Sequence, residues 1–102
     1  MVLTIAQKEE IKRKLIACLS PDRHIRKIVV FGSFVSSQVP NDLDVAVFQD
    51  SHEGYLALAL KYRRMVRAVS YQIPMDIIPF KTTGSAGAFM SEVEQGDVIY
   101  ER

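Results

Sequence analysis

The stretch that decides the fold is FGSFVSSQVPNDLDVAVF, residues 31 to 48. It begins where the run Ile28 to Phe31 ends, and the β-branched and aromatic side chains of that run predict a short buried strand. The Gly32–Ser33 pair then predicts a tight turn at the end of the strand. After a break at Pro40–Asn41, residues Leu43 to Phe48 predict a second strand. Two strands that follow each other through a glycine turn are therefore the centre of the expected fold.

Helical periodicity flanks this centre on both sides. Thr4 followed by Gln7 fits a capping box, and apolar residues at steps of three and four then predict a helix over residues 4–19. The same spacing predicts a longer helix between Asp50 and Ser70, with Asp50 and Glu53 as a second capping box. Its apolar stripe contains Tyr55, Leu58, Ala59, Tyr62, Met65, Val66 and Val69. Its basic residues Lys61, Arg63, Arg64 and Arg67 are expected on a solvated face, and contact with the phosphates of a nucleotide or an RNA is the alternative.

The C-terminal part predicts two further strands. Met75 to Phe80 lies next to Pro74 and contains Pro79, which favours a short strand or one at a sheet edge. Thr82 to Gly87 is expected as a loop, Ala88 to Glu94 as one or two helical turns, and Val98 to Tyr100 as a last strand. This order predicts a single α/β or α+β domain over residues 1–102, in which about four strands form a mixed sheet flanked by helices.

Composition excludes several classes of protein. The 102 residues are 48% apolar and 25% charged, which is typical of a globular domain rather than a disordered chain. Thirteen basic and twelve acidic side chains give a net charge of +1, so no overall field attracts nucleic acid. The single cysteine cannot form an intramolecular disulfide and no signal sequence opens the chain, so a cytoplasmic location is expected. No apolar run approaches the ~20 residues of a membrane span.

Three aspartates carry the expected chemistry. Because side chains alternate along a strand, Asp42 and Asp44 point the same way, whereas Leu43 points into the packed side. Two carboxylates in one space repel unless they are protonated or bridged by a cation, and all-oxygen ligands suit Mg²⁺. Asp76 would join them if its strand neighbours the second strand. Three such aspartates are the minimum of a two-metal site for in-line phosphoryl or nucleotidyl transfer.

Gly32 and Ser33 predict a phosphate site beside these aspartates. Glycine lets the backbone approach a phosphate closely, and the N–H groups of a turn that leads into a helix bind anions. The Ser33 hydroxyl adds a donor. A nucleoside triphosphate is therefore expected at this turn.

The combined pattern resembles the DNA polymerase β type nucleotidyltransferase superfamily. An apolar strand, Gly-Ser, a loop of eight residues that is about two shorter than is common in the superfamily, Asp-apolar-Asp-apolar and a later strand aspartate between apolar residues follow one another. The short length and the ending SEVEQGDVIYER resemble the minimal nucleotidyltransferases that act as antitoxins beside a helical HEPN toxin. The resemblance implies that Asp42, Asp44 and Asp76 are catalytic metal ligands and that Gly32 and Ser33 contact the nucleotide.

The resemblance also implies the cofactor, the substrate and the partner. It implies Mg²⁺, as two ions, and ATP, whose AMP is transferred to a tyrosine hydroxyl of a HEPN-type partner. The acceptor-selecting domains of larger superfamily members are absent from these residues. A partner or a second subunit is therefore expected to supply the acceptor, in a hetero-oligomer or a homo-oligomer.

Two alternatives stay open. Related proteins commonly continue after Gly-Ser with an arginine, a small residue and a second glycine, whereas this sequence continues Phe34-Val35-Ser36-Ser37. That departure keeps open a binding module that neutralises its partner by occlusion, with little or no catalysis. The other alternative is a nucleotidyltransferase that modifies a small molecule or an RNA end.

Overall fold

The computed structural model describes residues 2–40, 42–82 and 93–102. In chain order the elements are α1 (Ile5–Leu19), β1 (Ile25–Phe31), α2 (Ser33–Ser36), β2 (Leu43–Gln49), α3 (Tyr55–Met65), α4 (Arg67–Ser70), β3 (Met75–Lys81) and β4 (Asp97–Glu101). The loop expected at 82–87 and the helical turns expected at 88–94 fall mostly outside the described residues. Among the helices of the described ranges, none has both the length and the apolar character needed to cross a bilayer.

The described strands form one mixed sheet in the order β3-β2-β1-β4. β1 pairs antiparallel with both β2 and β4, and β2 pairs parallel with β3. A parallel pair requires a crossover connection, which α3 and α4 supply. The predicted mixed sheet of four strands flanked by helices is confirmed. β3, the strand that contains Pro79, lies at an edge of the sheet, where a missing N–H is tolerated.

The helices cover one face of this sheet, called here the helix face. The main buried cluster joins α1, α3 and α4 to the strands and includes Leu15, Leu19, Ile28, Val30, Leu43, Val45, Leu58, Tyr62, Val69 and Ile77. The opposite side, called here the second face, carries a smaller cluster of Val29, Phe31, Ala46 and Val93, with Phe48, Ile78 and Phe80 packed against it. Because strand side chains alternate, the central strands contribute to both clusters.

The first helix begins as the sequence predicts. Thr4 Oγ1 accepts a hydrogen bond from the Gln7 N–H at 3.1 Å, and the Thr4 N–H donates to Gln7 Oε1 at 2.8 Å. Both halves of the capping box are therefore present, and they satisfy two N–H groups that the helix itself leaves unpaired.

The second predicted capping box is wrong. α3 begins at Tyr55 with Gly54 at its N-cap, and no described side chain caps it. Asp50 instead accepts a hydrogen bond from Arg26 Nε at 2.7 Å and lies 3.0 Å from His24 Nδ1. Two side chains near the start of β1 hold this carboxylate away from the helix.

Three further boundaries differ from the sequence prediction. Val66 has φ −101° and ψ +14°, so the single predicted helix is divided there into α3 and α4. β1 begins at Ile25 rather than Ile28. The sequence pattern misses this start because Arg26 and Lys27 interrupt the apolar run, although Ile25 is fully buried. The one-turn helix α2 is missing from the predicted order of elements, although the phosphate site expected at Gly32–Ser33 assumes a turn that leads into a helix.

An ion pair ties the α1–β1 loop to α3. Asp22 Oδ2 lies 2.9 Å from Lys61 Nζ, and Asp22 Oδ1 accepts a hydrogen bond from the His24 N–H at 2.9 Å. The Asp22 side chain is only 7% exposed. Burial alone would raise the Asp22 pKa, but the Lys61 ammonium and the His24 N–H outweigh it and hold that pKa below its ordinary value. The fold therefore favours the charged carboxylate.

Replacing Lys61 by methionine should lower the free energy of unfolding at pH 7 by about 1–3 kcal/mol, because the Asp22 carboxylate then stays buried without its counter-charge. Urea unfolding measures this loss. Folding lowers the Asp22 pKa, so the contribution of the pair is present above the unfolded pKa of about 4 and is lost as the pH falls through the lower folded pKa. The difference between wild type and Lys61→Met should shrink accordingly in acid.

The exposed pair of Arg13 with Glu10 provides the matched control. Arg13→Met removes a cation from a solvated ion pair and should change the unfolding free energy by less than about 1 kcal/mol. Equal losses in the two variants would show that the Asp22–Lys61 pair contributes no more than a surface contact.

Candidate active site

Parallel pairing of β2 with β3 brings three aspartates together. Asp44 and Asp76 are register partners on the two strands, and Asp42 immediately precedes β2. One carboxylate oxygen from each of the three lies within 4.8 Å of the other two. The condition that the sequence left open, that the strand of Asp76 neighbours the second strand, is therefore met.

These carboxylates point to the second face of the sheet, opposite the buried cluster that the helices cover. Val45 and Ile77 pack in the cluster of the helix face, so their neighbours Asp44 and Asp76 point to the opposite side. Asp42, two residues before Asp44, shares that side. Asp42 and Asp44 are half-buried and Asp76 is exposed. The apolar residues of the core thus determine where the carboxylates point.

The donor set fits a hard divalent cation. Mg²⁺ takes carboxylate oxygens in proteins and usually keeps water and substrate phosphates in its remaining positions. Three carboxylates this close repel one another when no cation is bound. A bound cation would relieve that repulsion, so Mg²⁺ binding and stability of the fold should be coupled.

A turn in a rare backbone conformation lies against these carboxylates. Gly32 has φ +76°, which residues with a side chain seldom adopt, and a Cβ atom there would collide with Asp44 Oδ2. α2 begins at the next residue, Ser33, whose hydroxyl oxygen lies 3.5 Å from the backbone carbonyl oxygen of Asp42. Both residues of the predicted phosphate turn are therefore beside the aspartates.

A cleft of about 540 Å³ contains the site. Gly32, Asp44 and Asp76 line it from the sheet, and Tyr55 and Arg63 line it from α3. Its other lining residues are the apolar Phe31, Ile77 and Ile78. Within the described part of the chain, Arg63 is the one basic side chain that lines this cleft.

Tyr55 and Arg63 are not predicted as site residues from the sequence. The helical spacing assigned Tyr55 to the buried stripe, but its side chain is 61% exposed and the stripe is buried only from Leu58 onward. The sequence predicts Arg63 on a solvated face; the residue is exposed, and it also borders the cleft. The one signal in the sequence is spacing, since Tyr55, Ala59 and Arg63 follow at steps of four and share one side of the helix.

Comparison with known proteins identifies the class of protein. The family model Polymerase beta, Nucleotidyltransferase matches residues 13–102, and the chain belongs to this family. The mixed sheet with its flanking helices is the polymerase β-like nucleotidyltransferase fold that the resemblance implied.

Two solved structures share this fold. A chain from the complex of tri-AMPylated Shewanella oneidensis HEPN toxin with MNT antitoxin is 15% identical, with a TM-score of 0.68 over 93% of this chain and 73% of that chain. A chain from the toxin–antitoxin MntA–HepT is 14% identical, with a TM-score of 0.65 over 92% of this chain and 73% of that chain. No curated protein sequence matches this one.

Mg²⁺ should raise the melting temperature of the wild-type protein, because a ligand that binds only the folded state stabilises it. At one hundred times the dissociation constant the gain is about 2.7 kcal/mol, or roughly 10–20 °C for a domain of this size. Asp42→Asn and Asp44→Asn should lose most of this shift. In the absence of Mg²⁺ the Asp42→Asn variant should melt at or above the wild-type temperature, since it removes like-charge repulsion. An undiminished Mg²⁺ shift in both variants would exclude these carboxylates as ligands.

Gly32→Ala should lower the free energy of unfolding by about 1–3 kcal/mol, because it forces alanine into a glycine conformation. It should also reduce the Mg²⁺ shift, since the added Cβ displaces the Asp44 carboxylate. Gly54→Ala is the control: Gly54 has a negative φ and no heavy atom within 4 Å of the position of an added Cβ. Differential scanning calorimetry with and without Mg²⁺ compares the two, and an equal response at both positions would contradict the close contact of Gly32 with Asp44.

Proposed function

We propose that this protein is a Mg²⁺-dependent nucleotidyltransferase that transfers AMP from ATP to a hydroxyl of a HEPN-type partner and thereby acts as an antitoxin. The observation that carries the proposal is the convergence of Asp42, Asp44 and Asp76 beside the Gly32 turn, where Asp44 and Asp76 line the cleft, in a chain of the nucleotidyltransferase family. The proposed setting is the cytoplasm, where ATP is abundant.

The proposed roles follow from the position of each side chain. Asp42 and Asp44 would hold the cation, with Asp76 completing its protein ligands. When bound, Mg²⁺ would offset the negative charge of the phosphate oxygens and of the carboxylates. Gly32 and Ser33 would contact the triphosphate, Gly32 by allowing its backbone close to a phosphate and Ser33 through its hydroxyl.

The proposed transfer is a single in-line displacement. A hydroxyl oxygen of the partner forms a bond to the α-phosphorus of ATP while the bond from that phosphorus to the bridging oxygen of the β-phosphate breaks, so pyrophosphate leaves. Asp76 accepts the proton of the attacking hydroxyl. Its exposed position at the edge strand supports this role, because an incoming protein segment can reach it.

The solved structures with the same fold support the choice of partner. Both are toxin–antitoxin complexes, and in one of them the HEPN toxin is tri-AMPylated. We therefore propose a HEPN-type protein as the partner of this chain, and a tyrosine hydroxyl, which the family resemblance implies, as the acceptor.

A specific observation also favours a second candidate, a module that neutralises its partner by occlusion. Phe34, the residue after Gly32–Ser33, is fully buried, and the turn residues 32–37 contain no cation to hold a triphosphate. Weak nucleotide binding would leave occlusion as the means of neutralisation.

Incubation of the protein with its HEPN-type partner, ATP and Mg²⁺ should increase the intact mass of the partner by one or more AMP units. Asp44→Asn should reduce the rate at least about 100-fold, because it removes a ligand of the cation that stabilises charge in the transition state. Circular dichroism checks that the variant stays folded. Intact-mass spectrometry over time measures the rate.

Two results would separate the candidates. An unmodified partner that still co-elutes with the wild-type protein would favour occlusion over transfer. Transfer at the wild-type rate by Asp44→Asn would exclude the proposed site.

A further inference from the structure

The sheet order gives the active site two distinct sides. The Gly32 turn follows β1, Asp44 lies on β2, and Asp76 lies on the edge strand β3. Neighbouring strands lie about 4.8 Å apart, so about 10 Å separate the line of β1 from that of β3. The carboxylates therefore lie between a side that carries the glycine turn and a side that ends at the edge strand.

Arg63 and Tyr55 lie on the side of the edge strand. α3, which carries both residues, packs against β3. Arg63 also lines a smaller cavity together with Met75 and Ile77 of β3. The two side chains thus border the cleft where the sheet ends, across the carboxylates from the Gly32 turn.

In-line transfer assigns a different reactant to each of these sides. The attacking oxygen and the leaving pyrophosphate must be on opposite sides of the α-phosphorus. If the triphosphate lies at the Gly32 turn, the attacking hydroxyl must approach from the side of β3. We infer that Arg63 and Tyr55 bind the segment of the partner that carries this hydroxyl, an inference that rests on the proposed function.

The charge of Arg63 defines the chemistry of that segment. Arg63 forms no ion pair with any described residue, whereas Lys61 on the same helix pairs with both Asp22 and Glu53. A guanidinium group binds a carboxylate through two parallel hydrogen bonds. The acceptor segment therefore carries an acidic residue close to its hydroxyl, and Arg63 holds that residue against the repulsion of the three aspartates.

The spacing of Tyr55 and Arg63 defines the length of the segment. They are eight positions apart on α3, which corresponds to about 12 Å along the helix axis. An extended chain covers this distance in about four residues. The exposed ring of Tyr55 offers an apolar surface to the end of the segment opposite the acidic residue that Arg63 binds. The acceptor is thus a short extended segment with an acidic residue at one end and an apolar residue at the other.

Steady-state kinetics with varied partner and varied ATP test this inference. Arg63→Gln should raise the KM for the partner about tenfold and leave the KM for ATP unchanged, because one charge-assisted contact to the partner is lost. Arg64→Gln is the control, since Arg64 is the next residue of α3, is exposed and does not line the cleft. It should change neither constant. Melting temperatures check that both variants are folded.

Either of two kinetic results would overturn the inference. A higher KM for ATP with an unchanged KM for the partner would make Arg63 a ligand of the nucleotide phosphates. No difference between Arg63→Gln and Arg64→Gln would remove Arg63 from substrate binding altogether.

A binding measurement keeps this test separate from the test of the proposed function. Isothermal titration of the partner into Asp76→Asn, and into the same protein with Arg63→Gln added, requires no transfer. A loss of affinity of about tenfold on adding Arg63→Gln supports the inference. Unchanged affinity overturns it, even where the wild-type protein modifies its partner. Absence of transfer by the wild type, with the loss of affinity present, would instead overturn the proposed function alone.

Discussion

The parallel pairing of β2 with β3 is the constraint on which the rest of the structure depends. It sets Asp76 opposite Asp44, and the same register sets Ile77 opposite Val45. Ile77 and Val45 are buried under the helices, so hydrophobic burial on the helix face holds the register. A slip of one residue would turn every side chain of a strand to the other face and would separate the carboxylates. The strand register that buries the core is therefore the same register that brings the carboxylates together.

Two features of the candidate site lower the stability of the fold. Three carboxylates within 4.8 Å repel one another, and the backbone at Gly32 adopts a conformation that excludes other residues. Neither feature contributes to packing, and the helix face supplies the burial that offsets both. Local features that disfavour folding are typical of functional sites, where the cost is balanced by binding of a ligand.

α3 links the core, the partly buried Asp22–Lys61 ion pair and the cleft. Leu58 and Tyr62 are buried on the helix face, Lys61 holds the loop through Asp22, and Arg63 borders the cleft. Because all these side chains belong to one helix, the packing of its buried residues fixes the position of Arg63. Packing of the helices on the sheet thus orients both the carboxylates and the residues around them.

Short-range patterns in the sequence determined the helices, the strands and the candidate metal ligands. Periodicity predicted the main helices and strands, the Thr4 capping box, and the shared side of Asp42 and Asp44, because these depend on backbone geometry over a few residues. The pairing of Asp50 with Arg26, and the place of Tyr55 and Arg63 beside Asp76, belong to the tertiary structure alone. They join residues far apart in sequence, and no local pattern specifies which elements become neighbours in space.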